Sequence, residues 1–226
     1  MKISQSLSRS EVEKIVNFFS FVEESGHVLR NSSTDARLFL TEEDFLSKVS
    51  KNTAYFENIR TLASDFYRRD KSDIQIIYMI NRVSAVSADN ERGAGSGGDF
   101  HVDSILSPQF KYFIYLSDVS SPHNGAFENS SIWFTLFCLG LNFLTFGSMN
   151  NNRFTFNRFD WLSRFQVFGF FFKPVTGTAG TSFFGSTRVI HRGRPNFKND
   201  RYMLTAYTYK QRSSGFIKML SSCCKI

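Results

Sequence analysis

Residues 181–209 read TSFFGSTRVIHRGRPNFKNDRYMLTAYTY, two runs rich in β-branched and aromatic residues on either side of a polar turn. Residues of these types fill strands, and Arg192-Gly193-Arg194-Pro195 supplies the turn chemistry. The reading is a strand from Thr181 closing on His191, then a second strand from Arg201 to Tyr209. Two earlier runs have the same character. Ile74, Ile76, Ile77, Tyr78 and Ile80 follow Asp73, and a further run covers Lys111 to Val119, with Gly, Asn, Pro and Asp clusters between them.

Upstream the periodicity changes to that of helices. Val12, Ile15, Val16, Phe19 and Val22 recur at three- and four-residue spacings over residues 10–25, with Ser8 or Ser10 as cap and Gly26 as stop. Thr41-Glu42-Glu43-Asp44 resembles a capping box with Asp for Glu, with Phe45 and Leu46 as the first buried positions of a short helix. A third helix, Thr53 to Arg69, gathers Phe56, Ile59, Leu62, Ala63 and Phe66 on one face. Helices first and strands afterwards argue against a doubly wound parallel sheet and for a β-rich α+β protein carrying its helices at the N-terminus. At 226 residues, one domain is expected over 1–226: a helical N-terminal segment over 1–72, a β core over 73–210 and a tail over 211–226.

Residues 131–147, SIWFTLFCLGLNFLTFG, form an uncharged apolar insert in that core. Its length falls short of the roughly 20 residues a bilayer span takes, and it lies between predicted strands, so a buried helix or an active-site cover is expected. The chain holds 27 Phe against 4 Pro, enough aromatic volume to fill a broad interior or line a cavity. A net charge of +7 favours anionic partners, whether a phosphorylated substrate, a nucleic acid or a membrane surface. The N-terminus MKISQSLSRSEVEK has no apolar run behind its Lys, which points to the cytoplasm. Cys138, Cys223 and Cys224 make no metal-binding spacing and no disulfide framework. Cys223-Cys224-Lys225-Ile226 lacks the aliphatic centre of a prenylation signal and reads as a solvated tail.

His101-Val102-Asp103 carries the chemistry. In extended backbone, residues two apart project to one face, so an imidazole and a carboxylate can reach one ion. His191, at the end of a distant strand, adds the third donor. Two His and one carboxylate form a facial triad that leaves positions open on non-haem iron(II), as oxygen chemistry requires. The remaining His27 and His123 sit beside a helix end and in a polar turn. Arg201 follows His191 by ten residues, and its guanidinium fork suits the carboxylate of a cosubstrate.

These residues resemble the phytanoyl-CoA dioxygenase-like branch of the iron(II) and 2-oxoglutarate oxygenases, from about Gly97 to Tyr209. Gly98-Asp99-Phe100-His101-Val102-Asp103-Ser104 looks like the proximal metal motif. Phe110 to Val119, with Asn124-Gly125-Ala126-Phe127, looks like the strand and turn that follow it. Ser186-Thr187-Arg188-Val189-Ile190-His191-Arg192-Gly193, then Arg201-Tyr202-Met203-Leu204-Thr205, looks like the distal motif. The resemblance implies a double-stranded β-helix, a jelly-roll or cupin-like squashed barrel with the metal at one mouth and the N-terminal helices outside. It further implies an Fe(II) centre on His101, Asp103 and His191, with 2-oxoglutarate and O2 as cosubstrates. Arg201 would bind the far carboxylate of 2-oxoglutarate, assisted by Lys111. Related halogenases replace the carboxylate ligand by a small residue; Asp103 therefore favours hydroxylation, with release of succinate and CO2.

One departure concerns the substrate. Where the family has a polar stretch after the Asn-Gly turn, this chain has Glu128-Asn129-Ser130-Ser131 and then the apolar insert. Read functionally, Ile132 to Phe146 covers the mouth of the site and meets a lipophilic substrate or a membrane; read structurally, it is a core helix. With the basic charge, an anionic or lipid-like small molecule is the expected substrate. Gly93, Gly95 and Gly98 satisfy GxGxxG but lead into the His-x-Asp segment and not into a helix, so they read as a loop. Residues 151–173 interleave Arg153, Arg158, Arg164 and Lys173 with aromatics, which keeps open a non-catalytic module that binds nucleic acid or another anionic ligand on the same fold. Core packing with a solvated basic edge disfavours the nucleic acid. A zinc hydrolase on the same ligands would need an acid/base carboxylate at a recognisable spacing from either His, and none is found.

Overall fold

A computed structural model describes residues 3–5, 7–30, 34–86, 100–103, 109–146, 159, 162, 170–186, 188–211 and 213–223. The Gly93–Gly98 loop and most of the basic-aromatic stretch 151–173 lie outside them. Helix α1, Arg9–Glu24, begins at a full capping box: Ser8 accepts from the Glu11 N–H and the Glu11 carboxylate accepts from the Ser8 N–H at 3.0 Å. Gly26, at φ +78°, turns the chain out of α1 in the conformation glycine adopts at least cost. The second helical segment, α2 (Glu42–Asp44) running on as a π-turn through Phe45–Val49, is capped by Thr41 and buries Phe45. Asp44 differs from a capping-box Glu in the bond it makes: its shorter carboxylate takes the Thr41 hydroxyl at 2.7 Å and the Lys48 ammonium at 2.8 Å. Helix α3 spans Thr53–Tyr67.

The N-terminal third is not purely helical. It also contributes β1 (Ile3–Gln5), β2 (Leu29–Arg30) and β3 (Asp35–Thr41). The sequence hid β3 because Asp35 and Arg37 stand on its inward face where apolar residues would be expected, and they neutralise each other there as an ion pair. Strands β4 (Ile74–Val83), β5 (Phe110–Tyr115), β6 (Phe127–Asn129), β7 (Lys173–Val175), β8 (Thr181–Ser186), β9 (His191–Gly193) and β10 (Arg201–Lys210) follow, with α4 (Ile132–Phe146) after β6 and α5 (Ser214–Leu220) last.

Among the described residues the strands form two antiparallel sheets, a larger one ordered β1-β8-β5-β10-β4-β3-β2 and a smaller one ordered β7-β6-β9. The expected single strand from Thr181 to His191 is corrected: it breaks after Ser186, so that β8 pairs with β5 in the large sheet and β9 pairs with β6 in the small one. One chain segment thus crosses from sheet to sheet, as jelly-roll arrangements require.

The large sheet has two unlike faces, as the two-residue period of strands dictates. Leu38 and Leu40, Tyr78 and Ile80, Tyr112 and Ile114, and Leu204 and Ala206 point outward and pack with Ile15 and Phe19 of α1 and Phe56 and Ile59 of α3. The alternate residues point between the sheets, where Phe113, Tyr115, Phe183 and Met203 meet Phe127 and Val175 of the small sheet. Helices α1 and α3 thus dress the outside of the large sheet, while on its other face α5 packs against Phe39, Ile77 and Met79 and the rest builds the site. The apolar insert is helical, and its described side chains divide: Phe134, Thr135 and Cys138 are buried while Trp133, Leu136 and Phe137 are exposed. Its buried side packs with Phe100, Val102 and Ile190, the neighbours of the histidines in sequence, so this part of α4 backs the metal strands.

Candidate metal centre

His101 and His191 form an antiparallel bridge in which each accepts the other's backbone N–H, at 3.0 and 2.9 Å. Residues in such a hydrogen-bonded pair stand directly opposite with side chains on one face. The two rings accordingly lie 4.5 Å apart, centroid to centroid. Asp103, two residues along, shares that face: its Oδ1 is 3.7 Å from His101 Nε2 and its Oδ2 is 3.3 Å from His191 Nε2. Ligand atoms of the three side chains all fall within 4.8 Å of one another. Neighbouring donors held about 2.1 Å from one divalent ion are roughly 3 Å apart, so the chain presents a nearly assembled site.

The tautomer of His191 is set by its surroundings. Its Nδ1 lies 2.9 Å from the Val189 carbonyl, which makes Nδ1 the N–H donor and leaves the Nε2 lone pair facing Asp103. The Phe127 ring packs on the imidazole at 5.5 Å. Behind the strand, the Ile190 N–H donates to Thr135 Oγ1 of α4 at 2.9 Å, tying the position of His191 to the apolar helix.

Lys111, on the inward face of β5, places Nζ 2.6 Å from Asp103 Oδ2 and 4.6 Å from the centre of the Tyr207 ring. Burial works against ionisation of Asp103, but the charge and hydrogen bond of Lys111, with His191 beside it, outweigh it and hold the carboxyl far below the usual range. Burial likewise disfavours the Lys111 ammonium, and Tyr207 and Asp103 more than offset it, so its pKa is raised. The carboxylate is therefore ionised and ready to ligate at neutral pH.

Arg201 opens β10 and is 1% exposed, the largest fully buried side chain described. Its Nη1 donates to the Gly125 carbonyl, while Nε and Nη2 have no hydrogen-bond partner among the described residues. Burial lowers the guanidinium pKa. A buried cationic fork with two idle donors fits a carboxylate. Gly125, at φ +74°, makes room for it, since a Cβ there would lie 3.2 Å from Arg201 Cδ and 3.1 Å from Asn196 Cβ.

The structure thus brings His101, Asp103, His191 and Lys111 into one cluster and sets Arg201 further along β10 on the same inward face. Sequence reasoning passed over Tyr207 and Arg37, which share that face. The signal for Tyr207 was the alternation in RYMLTAYTY, where Arg201, Met203, Thr205 and Tyr207 fall on one side; Arg37 had none, since only the register of Arg37 with Asn81 and of Asn81 with Met203 puts it there.

No protein-family model matches the chain, and no curated protein matches it in sequence. Solved structures do resemble it. A prolyl-4-hydroxylase from Pseudomonas putida aligns over 94% of this chain and 92% of its own, at 13% identity and a TM-score of 0.55. The epimerase SnoN, solved with Fe3+, alpha-ketoglutarate and a nogalamycin, aligns over 96% and 82%, at 12% identity and a TM-score of 0.57. The non-haem alpha-ketoglutarate-dependent carbocyclase SnoK of nogalamycin biosynthesis aligns over 96% and 84%, at 12% identity and a TM-score of 0.53. The chain shares the fold of these proteins.

Proposed function

We propose that this chain is an iron(II)- and 2-oxoglutarate-dependent dioxygenase with a double-stranded β-helix core, of the phytanoyl-CoA dioxygenase-like kind. The observation that carries the reading is the bridge between His101 and His191 with Asp103 on the same face. The bound pair, iron and 2-oxoglutarate, supplies activation of O2, with 2-oxoglutarate leaving as succinate and CO2. The residues do the rest. His101, Asp103 and His191 would hold the metal as two imidazoles and a carboxylate. Val189 keeps the His191 Nε2 lone pair aimed at the ion. Lys111 keeps Asp103 charged and fixes the orientation of its carboxylate. Arg201 receives the far carboxylate of 2-oxoglutarate, with Lys111 as a second cation on the same face. The apolar packing of Phe113, Phe127, Phe183 and Met203 between the sheets excludes water from that interior.

Hydroxylation of a small molecule is the proposed outcome, because Asp103 fills the position that would otherwise admit a halide. The net charge of +7 supports an anionic substrate, and the apolar insert a lipid-like one. Anaerobic addition of iron(II) and 2-oxoglutarate is expected to give the weak visible charge-transfer band of the chelate, and Asp103→Ala to lose it. In air, the wild type should convert 2-oxoglutarate to succinate. A protein with neither band nor succinate that still binds anions with a steep salt dependence would be a binding module on this fold.

A further inference from the structure

Helix α4 carries an apolar face that the metal chemistry does not use. Ile132, Trp133, Leu136 and Phe137 fall on one side of the helix and are exposed, Trp133 to 78%. Phe170, 72% exposed, and Phe171 extend this surface, with the Phe171 ring stacked on Phe134 at 4.3 Å. Six large apolar side chains side by side in water mark a surface that is covered by something. Charge indicates what. Residues 131–194 hold seven Arg and Lys residues against the single carboxylate of Asp160, and of the described ones Arg192 and Arg194 are ion-paired with Glu128. Lys173 and Arg188 are both exposed. Phe172 packs edge-on against Phe134, placing Lys173 beside α4, and the bond from the Ile190 N–H to Thr135 brings the Arg188 loop to its N-terminal turn.

We propose that this face docks on an anionic lipid bilayer. At 15 residues α4 is too short to span the hydrocarbon, and no helix of the described residues is long and apolar enough to cross a membrane. An uncharged helix with Trp, Phe and Leu on its free side, flanked by cations, instead lies in the plane of the headgroups. A second copy of the chain seated on this face would bring two basic surfaces together, whereas acidic headgroups offset them. The branched aliphatic Ile132 and Leu136 beside Trp133 suit acyl chains at the level of the headgroups.

The chain has two tryptophans, Trp133 and Trp161, so Trp161→Phe leaves Trp133 as the reporter. Vesicles of phosphatidylcholine with about one third phosphatidylserine should shift its emission to the blue and carry the protein into the pellet; pure phosphatidylcholine vesicles should do so far less. Phe137→Glu should abolish both effects without changing the circular-dichroism melt. Lys173→Gln should weaken partition by about fivefold at low salt. Wild-type sedimentation against Phe137→Glu gives the same answer should Trp161→Phe fold poorly. The inference is overturned if anionic vesicles leave both emission and sedimentation unchanged. It is overturned equally if the face proves to be taken by something else: a dimer that Phe137→Glu dissociates in place of vesicle binding, or an oligonucleotide bound where vesicles are not. The measurement needs neither iron nor 2-oxoglutarate, so its failure is separate from that of the oxygenase reading.

Discussion

His191 does two jobs through two different sets of atoms: its backbone pairs with His101, and its side chain, oriented by the Val189 carbonyl, offers Nε2 to the ion. Substituting it should therefore remove a ligand without unfolding the bridge. Arg201 matters for its idle donors. Because Nε and Nη2 are buried with nothing to bond among the described residues, Arg201→Gln should raise the dissociation constant for 2-oxoglutarate by about 10- to 100-fold, the worth of a charge-assisted bond of about 1.5–3 kcal/mol. Iron binding should be little changed. Lys111→Met should affect 2-oxoglutarate less, since its ammonium is already engaged by Asp103. Titration calorimetry of both variants in anaerobic buffer ranks the two cations, and a reversed order would assign the dicarboxylate to Lys111.

At the scale of elements, two helices are coupled to their surroundings through single polar atoms. Thr135 Oγ1 accepts from the buried N–H of Ile190, one residue before the metal ligand. Thr135→Val preserves shape and leaves that N–H unpaired, so a loss of about 1–3 kcal/mol is expected in denaturant melts, along with weaker iron binding. The cap of α1 titrates. The Ser8 N–H, partly opposed by burial and helped by Asn52, lowers the Glu11 pKa. A carboxylate with a depressed folded pKa contributes stability above its unfolded value, about 4.3, and loses it as the pH falls through the folded one. Glu11→Gln should then cost about 0.5–1 kcal/mol at pH 7, and the gap to wild type should close below about pH 4 in thermal melts.

At the scale of the whole molecule, the metal ties together segments that are far apart in the chain, since His101 and Asp103 precede β5 and His191 follows β8. Iron(II) at one hundred times its dissociation constant should stabilise the fold by about 2.7 kcal/mol, a rise of roughly 5–10 °C in Tm for a chain of this size. A chelator should reverse it, and His191→Ala should abolish it, as read by anaerobic differential scanning fluorimetry.

Much of this was legible in the sequence because its signals are local. The period of Val12, Ile15, Phe19 and Val22 sets α1, the β-branched run from Ile74 sets β4, and the spacing of His101 and Asp103 alone puts both on one face. What residues 181–209 could not show was that their first run divides between two sheets, because strand composition says nothing of which partner a strand pairs with. Nor could Asp35 and Arg37 announce β3, since a buried ion pair looks polar until its halves are seen together. The three donors were named by residue type and order. That His191 stands opposite His101, that Lys111 reaches Asp103, and that Nε and Nη2 of Arg201 are buried with no hydrogen-bond partner among the described residues are facts of pairing and packing between distant segments, which only the tertiary structure decides.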